Sequence, residues 1–395
     1  MQDIIDQLNA GRAADRLAVL KKKISTEKER PAVLPQYANN HIHTTYSFSP
    51  YSPAAAVYFA RAAGLQTAGI MDHDTIGGAE EFIEAGLIAG IATTIGLECR
   101  VSLDGTPLEG LRINNPDQKN NAYMALHGIP HTQINSLQSV FAPLREKRNI
   151  RNLKMVENIN RLMSPWHISL DFESEVLPIS CFTDGGCVTE RHLLFALGTK
   201  IADIIGQPAT AGFLEKEMNI PLSQKQKEQM TDSGNPYFLY DLLGVLKSTL
   251  VERIYVPATQ ECMHISELSR LAKDTGSLLC YSYLGDVGDS VTGDKKAQKF
   301  EDDFLDLLFE VIKEQGIHAV TYMPSRNTPE QLRRIQTMCR EQGITEISGE
   351  DINSPRQKFI CEQLAQPQFA HLIAATWALI KREKDETERQ MNAIN

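Results

Sequence analysis

Residues 37–53 read YANNHIHTTYSFSPYSP, and this stretch contains two of the ten histidines of the chain, separated by one isoleucine. In an extended segment the side chains alternate, so residues i and i+2 point the same way. We therefore expect His41 and His43 to face one spot. Either that spot holds a group that imidazoles bind, or the pair belongs to a polar surface strand.

A strand-then-helix rhythm begins at this stretch. SPAAAVYFARAAGL is predicted to be a helix, with Ser52 as the N-cap, Pro53 at the first helical position and Gly64 as the stop. Strands are predicted at TAGIMDHD, IATTIGLECRVSL and AYMALHGIPH, and later at RIYVPA, SLLCYSYLGD, HAVTYMPS and ITEISGEDIN. Alternating strands and helices predict an α/β fold with a parallel sheet, open or closed into a barrel.

The pattern also predicts a division of the chain. Residues 1–36 are expected to form an N-terminal helical extension, and residues 37–142 the first half of the sheet domain. Residues 143–250 have few strand signals and are predicted to be a helical insertion. Residues 251–395 resume the rhythm and are predicted to form the second half.

Ionisable residues lie where the apolar runs end. They are His41, His43, Asp72, His73, Asp74, Glu98, His127 and Asp351. The carboxyl ends of parallel strands converge on one rim, where active sites are built. Imidazole and carboxylate donors brought together there suit Zn, Mn or Fe better than Ca or Mg.

Each of these residues has an ordinary alternative when it is taken alone. The His41–His43 pair fits a polar surface, and the D-H-D sequence at 72–74 fits a helix N-cap with a turn. Glu98 and Asp351 fit loop carboxylates, and His127 fits a packed histidine. The joint occurrence at strand ends is what favours a metal centre.

Composition excludes several classes of protein. The net charge of −10 disfavours an electrostatic grip on nucleic acid, although a nucleotide substrate stays open. No window approaches the about 18 uninterrupted apolar residues of a membrane span, and the N-terminus lacks the apolar core of a signal peptide. The seven cysteines are scattered without a C-x-x-C pair, which favours a reducing cytoplasm. Oligomeric state is not set by the sequence.

The order of these motifs resembles the PHP (polymerase and histidinol phosphatase) superfamily. The resemblance rests on H-x-H, on a strand ending in D-H-D before TIGGAEEF, and on GLE about 25 residues later. GGCVTERHLLFAL is also similar to a segment of PHP phosphatases that carry a helical insertion. The resemblance implies a distorted (β/α)7 TIM-like barrel with up to three divalent metals, and most known members hydrolyse phosphate esters.

The resemblance also implies a set of metal ligands. His41, His43, Glu98 and Asp351 would hold a first metal, and Glu98 and His127 a second. His73 would belong to the motif of a third metal. Three ligands usual in the family are replaced by Phe48, Tyr283 and Asn353. We therefore expect one well-formed site and one weaker site that His131 or Tyr283 could complete.

The expected activity is metal-dependent hydrolysis by a metal-activated water. A phosphoesterase acting on a small phosphorylated metabolite or nucleotide is favoured, with Asp72 or His73 as the group that transfers protons. Arg112, His192 and Arg326 are the candidate substrate-binding residues. Arg145, Arg148 and Arg151 are expected on a solvated helix face. The alternatives are a degenerate PHP barrel without turnover, and a metal-dependent hydrolase of amides or lactones.

Overall fold

A curved, nearly closed sheet organises the computed structural model, which describes residues 2–29, 31–287 and 298–394. Within these residues the strands follow the order β1-β2-β3-β4-β6-β7-β8, and β5 pairs with β3 outside this path. The strands are β1 (Asn39–Ile42), β2 (Thr67–His73), β3 (Ala92–Ser102), β4 (Asn121–His127), β5 (Met263–His264), β6 (Leu278–Ser282), β7 (Ala319–Tyr322) and β8 (Thr345–Ser348). A parallel bridge between Ile42 and Ile352 links β1 to the segment that follows β8. The predicted barrel is confirmed.

One strand is antiparallel to its neighbours, contrary to the prediction of a parallel sheet. β4 is antiparallel to both β3 and β6, whereas β1, β2 and β3 are mutually parallel, as are β6, β7 and β8. A parallel neighbour requires a crossover connection, usually a helix. The polar stretch between β3 and β4 contains none, so the chain turns back on itself. The expectation that β4 ends at the same rim as the other strands was therefore wrong.

Helices cover the outside of the sheet and form a separate layer above it. They are α1 (Gln2–Asn9), α2 (Ala13–Thr26), α3 (Pro53–Ala62), α4 (Ala79–Ala89), α5 (Ile134–Met163), α6 (Glu190–Ile205), α7 (Gln207–Lys216), α8 (Gln224–Thr231), α9 (Phe238–Ile254), α10 (Ile265–Thr275), α11 (Leu305–Glu314), α12 (Pro329–Gln342) and α13 (Ala370–Ile394). α3 begins as predicted, because Ser52 Oγ accepts the Ala55 amide at 3.1 Å and Pro53 occupies the first turn.

The helical layer has a hydrophobic core of its own. Buried side chains between Met155 and Ile254 form one cluster, and Phe48, from the loop after β1, joins it. The barrel and its surrounding helices form a different, larger cluster. The predicted boundary at residue 143 falls inside α5, and this helix extends from the barrel into the helical layer. The division of the chain at that residue therefore stays a prediction.

The two ends of the chain pack on the barrel. Arg16 of α2 makes two hydrogen bonds to the Glu81 carboxylate of α4, at 2.9 and 2.5 Å. At the other end Leu379 of α13 joins the inner layer of the barrel, and Glu383 accepts the Ile95 amide of β3 at 2.9 Å. α13 therefore covers the barrel at the amino end of β3, away from the rim with the ionisable residues.

None of the described helices is long and apolar enough to cross a membrane. The seven cysteines all lie among the described residues, and each is a free thiol.

Candidate metal centre

Glu98 is the centre of a cluster of imidazoles. Its Oε1 atom lies 3.5 Å from His41 Nε2, 3.4 Å from His43 Nε2 and 3.0 Å from His73 Nδ1. The parallel register pairs His73, the last residue of β2, directly with Glu98 on β3. The His43 and His73 rings stack with their centroids 4.7 Å apart. The end of β1 and the end of β2 therefore bring three imidazole nitrogens to one carboxylate oxygen of β3.

Asp351 joins this cluster through the bridge that closes the sheet. The His43 amide donates to the Ile352 carbonyl at 3.0 Å, and the Ile352 amide donates to the His41 carbonyl at 3.1 Å. These bonds set the Asp351 Oδ1 atom 3.2 Å from His43 Nε2. We call His41, His43, His73, Glu98 and Asp351 the metal rim.

A chain of hydrogen bonds behind the rim orients His43. Asp72 accepts bonds from the Thr44 amide at 2.7 Å, the Thr44 hydroxyl at 2.6 Å and the Ser47 hydroxyl at 2.6 Å. Because the Ser47 proton is donated to Asp72, the Ser47 oxygen is left to accept from His43 Nδ1, 3.2 Å away. In the neutral tautomer that donates from Nδ1, His43 Nε2 carries no proton and faces the rim as a potential ligand.

Asp72 therefore lies behind His43 and is almost fully buried, rather than in the cavity. Burial raises the pKa of Asp72, although its hydrogen bonds oppose that shift. Its position is that of a group that orients a ligand, whereas His73 reaches the cavity directly.

The rim attracts positive charge. Burial alone would raise the pKa of Glu98, but His73, His41 and His43 lower it to about 2. Burial alone would lower the pKa of His41, but Glu98 and Asp351 raise it. Burial lowers the pKa of His73 to about 3. An anionic carboxylate that draws a proton onto a neighbouring imidazole is a place where a cation can replace that proton.

The spacing of the donors fits a metal ion. His41, His43 and Glu98 offer atoms that all lie within 4.8 Å of one another. The distances of 3.5 Å from His41 to Glu98, 3.4 Å from His43 to Glu98 and 3.2 Å from His43 to Asp351 are close to the about 3.4 Å between ligand atoms that bonds near 2.1 Å produce in a tetrahedral site.

His127 is the second observation in favour of a metal. The register pairs Glu98 with Ala125, so His127, two residues further along, shares the inner face of the barrel with Glu98. The Nε2 atom of His127 is buried without a hydrogen-bond partner, and burial lowers the pKa of this imidazole to about 3. A neutral, unpartnered imidazole nitrogen beside a carboxylate suits metal ligation. His127 reaches this place from the interior of the barrel because β4 is reversed.

Other residues considered as ligands lie elsewhere. His131 Nε2 lies 3.0 Å from Glu383 of α13, so His131 does not complete a second site. The reversal of β4 explains this, because it carries the following residues away from the rim. Tyr283 lines the cavity, but its hydroxyl donates to Asp302 at 2.6 Å. Asn353 donates to Asp351 Oδ1 at 2.6 Å and so supports a ligand.

Phe48, where the resemblance implies a carboxylate ligand, packs into the helical layer. Its ring packs edge-on against His192 and Phe195, with centroids 5.0 and 5.5 Å apart. The His192 Nδ1 atom accepts the Thr189 amide at 3.0 Å, at the start of α6. His192 thus lies behind Phe48, in the joint between barrel and helical layer, and does not line the cavity beside the rim.

That cavity has a volume of about 180 Å³ and opens onto His41, His73, Glu98 and Asp351. Arg326 lines it, as predicted, together with two cations that the sequence analysis missed, Arg191 and Lys247. Arg112 donates instead to the Pro116 carbonyl. Two signals pointed to these residues: Arg191 directly precedes His192, and Lys247 interrupts the apolar sequence GVLKSTLV of α9.

The expected solvated arginines are buried. Arg145, Arg148 and Arg151 are each no more than 5% exposed, so the prediction of a solvated helix face was wrong. Periodicity along α5 predicts which residues share a face of the helix, but it cannot show what packs against that face. Here a second polar surface covers it, formed by Arg100 of β3, Asp74, Glu190 and Glu261. We call these four arginines and three carboxylates the arginine cluster.

Comparison with known proteins agrees with this geometry. Residues 39–170 match the family model of the PHP domain. The matched part contains His41, His43, His73, Glu98 and His127. No curated protein matches the chain.

Two solved structures share the fold. One is a candidate metal-dependent phosphoesterase from Bifidobacterium adolescentis, 18% identical, with a TM-score of 0.55, 88% of this chain covered and 98% of that one. The other is an amidohydrolase from Chromobacterium violaceum with bound sulfate and no metal, 14% identical, with a TM-score of 0.55 and coverages of 86% and 96%. At such identities the similarity establishes the fold alone.

Proposed function

We propose that this PHP-domain protein is a metal-dependent hydrolase that cleaves a phosphate monoester of a small molecule. The observation that carries the proposal is the convergence of His41 and His43 on Glu98 at ligand spacing, with Asp351 beside His43, next to a cavity that three cationic side chains also line. His41, His43, Glu98 and Asp351 would hold a divalent Zn, Mn or Fe ion, and His127 would support a weaker second site beside Glu98.

A divalent ion in this place acts as a Lewis acid that withdraws charge from a phosphoryl oxygen. The side chains of the protein do the rest. Arg326, Arg191 and Lys247 would bind the remaining phosphate oxygens and orient the ester. His73 lines the cavity next to Glu98 and is our candidate for proton transfer, because Asp72 lies behind His43.

An amide or lactone substrate is the alternative, since metal-assisted hydrolysis also serves carbonyl compounds. The three cations of the lining favour a phosphate over a neutral amide, because they would form charge-assisted hydrogen bonds to its anionic oxygens. A PHP barrel that binds without turnover is disfavoured by the retained rim.

The test compares substrates with matched leaving groups. Wild-type protein loaded with Mn²⁺ should hydrolyse p-nitrophenyl phosphate, and p-nitrophenyl acetate much more slowly. Arg326→Met should raise KM for the phosphate about tenfold, because a charge-assisted contact contributes about 1.5 kcal/mol or more. Arg112→Met is the control, and its KM should not change. Faster turnover of the acetate would reject the phosphoesterase assignment. Turnover of neither compound by Mn²⁺-loaded protein would favour the alternative of a PHP barrel that binds a ligand without turnover.

A further inference from the structure

The arginine cluster lies directly behind the metal rim. Arg148 of α5 donates to Asp74 Oδ2 at 2.5 Å and to Glu190 Oε2 at 2.7 Å. Arg151 pairs with Glu190 as well, and its Nε lies 2.5 Å from Glu261 Oε1. Arg148 therefore connects the helical layer to Asp74, the residue that follows His73.

Asp74 is held in an unusual backbone conformation. Its φ angle is +53°, in the left-handed region that few residues other than glycine adopt, although Asp and Asn tolerate it best. Three contacts fix this conformation. The Asp74 amide donates to the Glu98 carbonyl at 2.8 Å, Arg145 donates to the Asp74 carbonyl at 3.2 Å, and Arg148 binds the carboxylate.

The conformation of Asp74 bears on the rim because its neighbours belong to it. His73 is covalently adjacent and places Nδ1 3.0 Å from Glu98 Oε1, while the Asp74 amide is bonded to the backbone of Glu98 itself. Any relaxation of Asp74 toward ordinary backbone angles would rotate the peptide that carries His73. The imidazole would then turn relative to Glu98 and to the His43 ring on which it stacks.

We propose that Arg148 is a positioning residue of the metal centre: by holding Asp74 in the left-handed conformation, it lets the helical layer set the orientation of His73 and the cation affinity of the rim. This inference rests on the proposed metal site. It adds a role for the helical layer beyond lining the cavity, since the layer then completes the rim.

A merely structural role is the alternative, because removing one partner of a buried ion pair destabilises the fold whatever else the pair contacts. Arg151 provides the matched control. It lies on the same helix, is equally buried and shares Glu190 with Arg148, but it pairs with Glu261 rather than with Asp74. Arg151→Met should destabilise the same cluster without reaching the rim.

The experiment titrates metal-free wild type, Arg148→Met and Arg151→Met with Mn²⁺ in a calorimeter and records the thermal melt of each metal-free protein. We expect both variants to melt at lower temperature. Arg148→Met should lose about tenfold to 100-fold in Mn²⁺ affinity, because Asp74 is bonded to the backbone of the ligand Glu98 and losses of this size follow when a group that orients a ligand is removed. Arg151→Met should stay within about twofold of wild type by our inference that it does not reach Asp74. In the metal-free protein, the imidazole ¹⁵N signals of His73, assigned with His73→Gln, should shift in Arg148→Met alone.

Asp74→Asn keeps the experiment decisive if Arg148→Met does not fold. Asn tolerates the left-handed backbone but loses the ion pair, so we expect a smaller loss of affinity in the same direction. Equal affinities in wild type and the Arg148 or Asp74 variant, or equal losses in the Arg148 and Arg151 variants, would overturn the positioning role alone. Absence of Mn²⁺ binding in wild type would instead overturn the proposed metal site, and the inference with it.

Discussion

The metal rim and the arginine cluster are two adjacent buried groups of charged residues, and they differ in how closely their charged groups are paired. In the arginine cluster the guanidinium groups meet carboxylates directly, with contacts of 2.5 and 2.7 Å to Asp74, Glu190 and Glu261. In the rim three imidazole nitrogens lie 3.0 to 3.5 Å from one Glu98 oxygen, beside a cavity. Direct pairing indicates a structural network, whereas donors at ligand spacing indicate a site that needs a cation.

The largest effect should come from removing a ligand of the rim. His41→Ala is expected to lose Mn²⁺ binding, with an affinity at least about 100-fold lower, because a missing ligand costs more than a missing supporting contact. The metal-free protein should still melt cooperatively. Calorimetric titration and a thermal melt measure the two quantities.

His131→Ala is the control for that experiment, since His131 pairs with Glu383 away from the rim. It should retain Mn²⁺ binding. If His41→Ala bound Mn²⁺ as tightly as wild type, our assignment of the rim would be wrong.

Glu261→Gln should lower the stability of the fold and leave the Mn²⁺ affinity unchanged. Glu261 is buried beside Arg151 and Arg100, so its removal leaves buried positive charge without its partner and should cost about 3 kcal/mol in the free energy of unfolding. Urea unfolding measures the loss. If the free energy of unfolding fell by less than about 1 kcal/mol, or if Mn²⁺ affinity fell as well, the arginine cluster would not be a purely structural network distinct from the metal rim.

Substitutions of Phe48 test how much its packing between the barrel and the helical layer contributes to stability. Phe48→Ala should lower the free energy of unfolding by about 3 kcal/mol, because a buried aromatic ring is lost. Phe48→Gly should cost about 1 kcal/mol less than Phe48→Ala, since the φ angle of +92° strains any residue with a Cβ atom. Urea unfolding of both variants decides the order, and a more stable alanine variant would show that the backbone is not strained.

The smallest effect is expected from the hydroxyl behind the rim. Ser47→Ala breaks the link between Asp72 and His43 Nδ1 and should lower Mn²⁺ affinity about tenfold through a less well oriented imidazole. Ser49→Ala, in the same loop but without a contact to His43, should leave the affinity unchanged. Titration of both variants gives the comparison, and equal affinities would show that Ser47 does not orient His43.

Sequence reasoning anticipated most of the rim because the relevant geometry is local. The spacing of His41 and His43 makes them face the same side, and each remaining donor follows or ends a recognisable apolar run. The start of α3 was equally legible, since Ser52 and Pro53 act on the adjacent turn. The resemblance to PHP proteins then assigned Asp351, which also follows an apolar run, to the same metal as His41 and His43.

Only the tertiary structure decided the direction of β4, the burial of the arginines and the cations of the cavity. These features depend on which surfaces meet, and the meeting residues are far apart in sequence: Arg148 lies 74 residues from Asp74. A helix face that reads as polar is solvated or buried according to whether another element supplies matching charge. Local pattern determines which way a side chain points within its own element, but the partner that the side chain reaches is determined by packing.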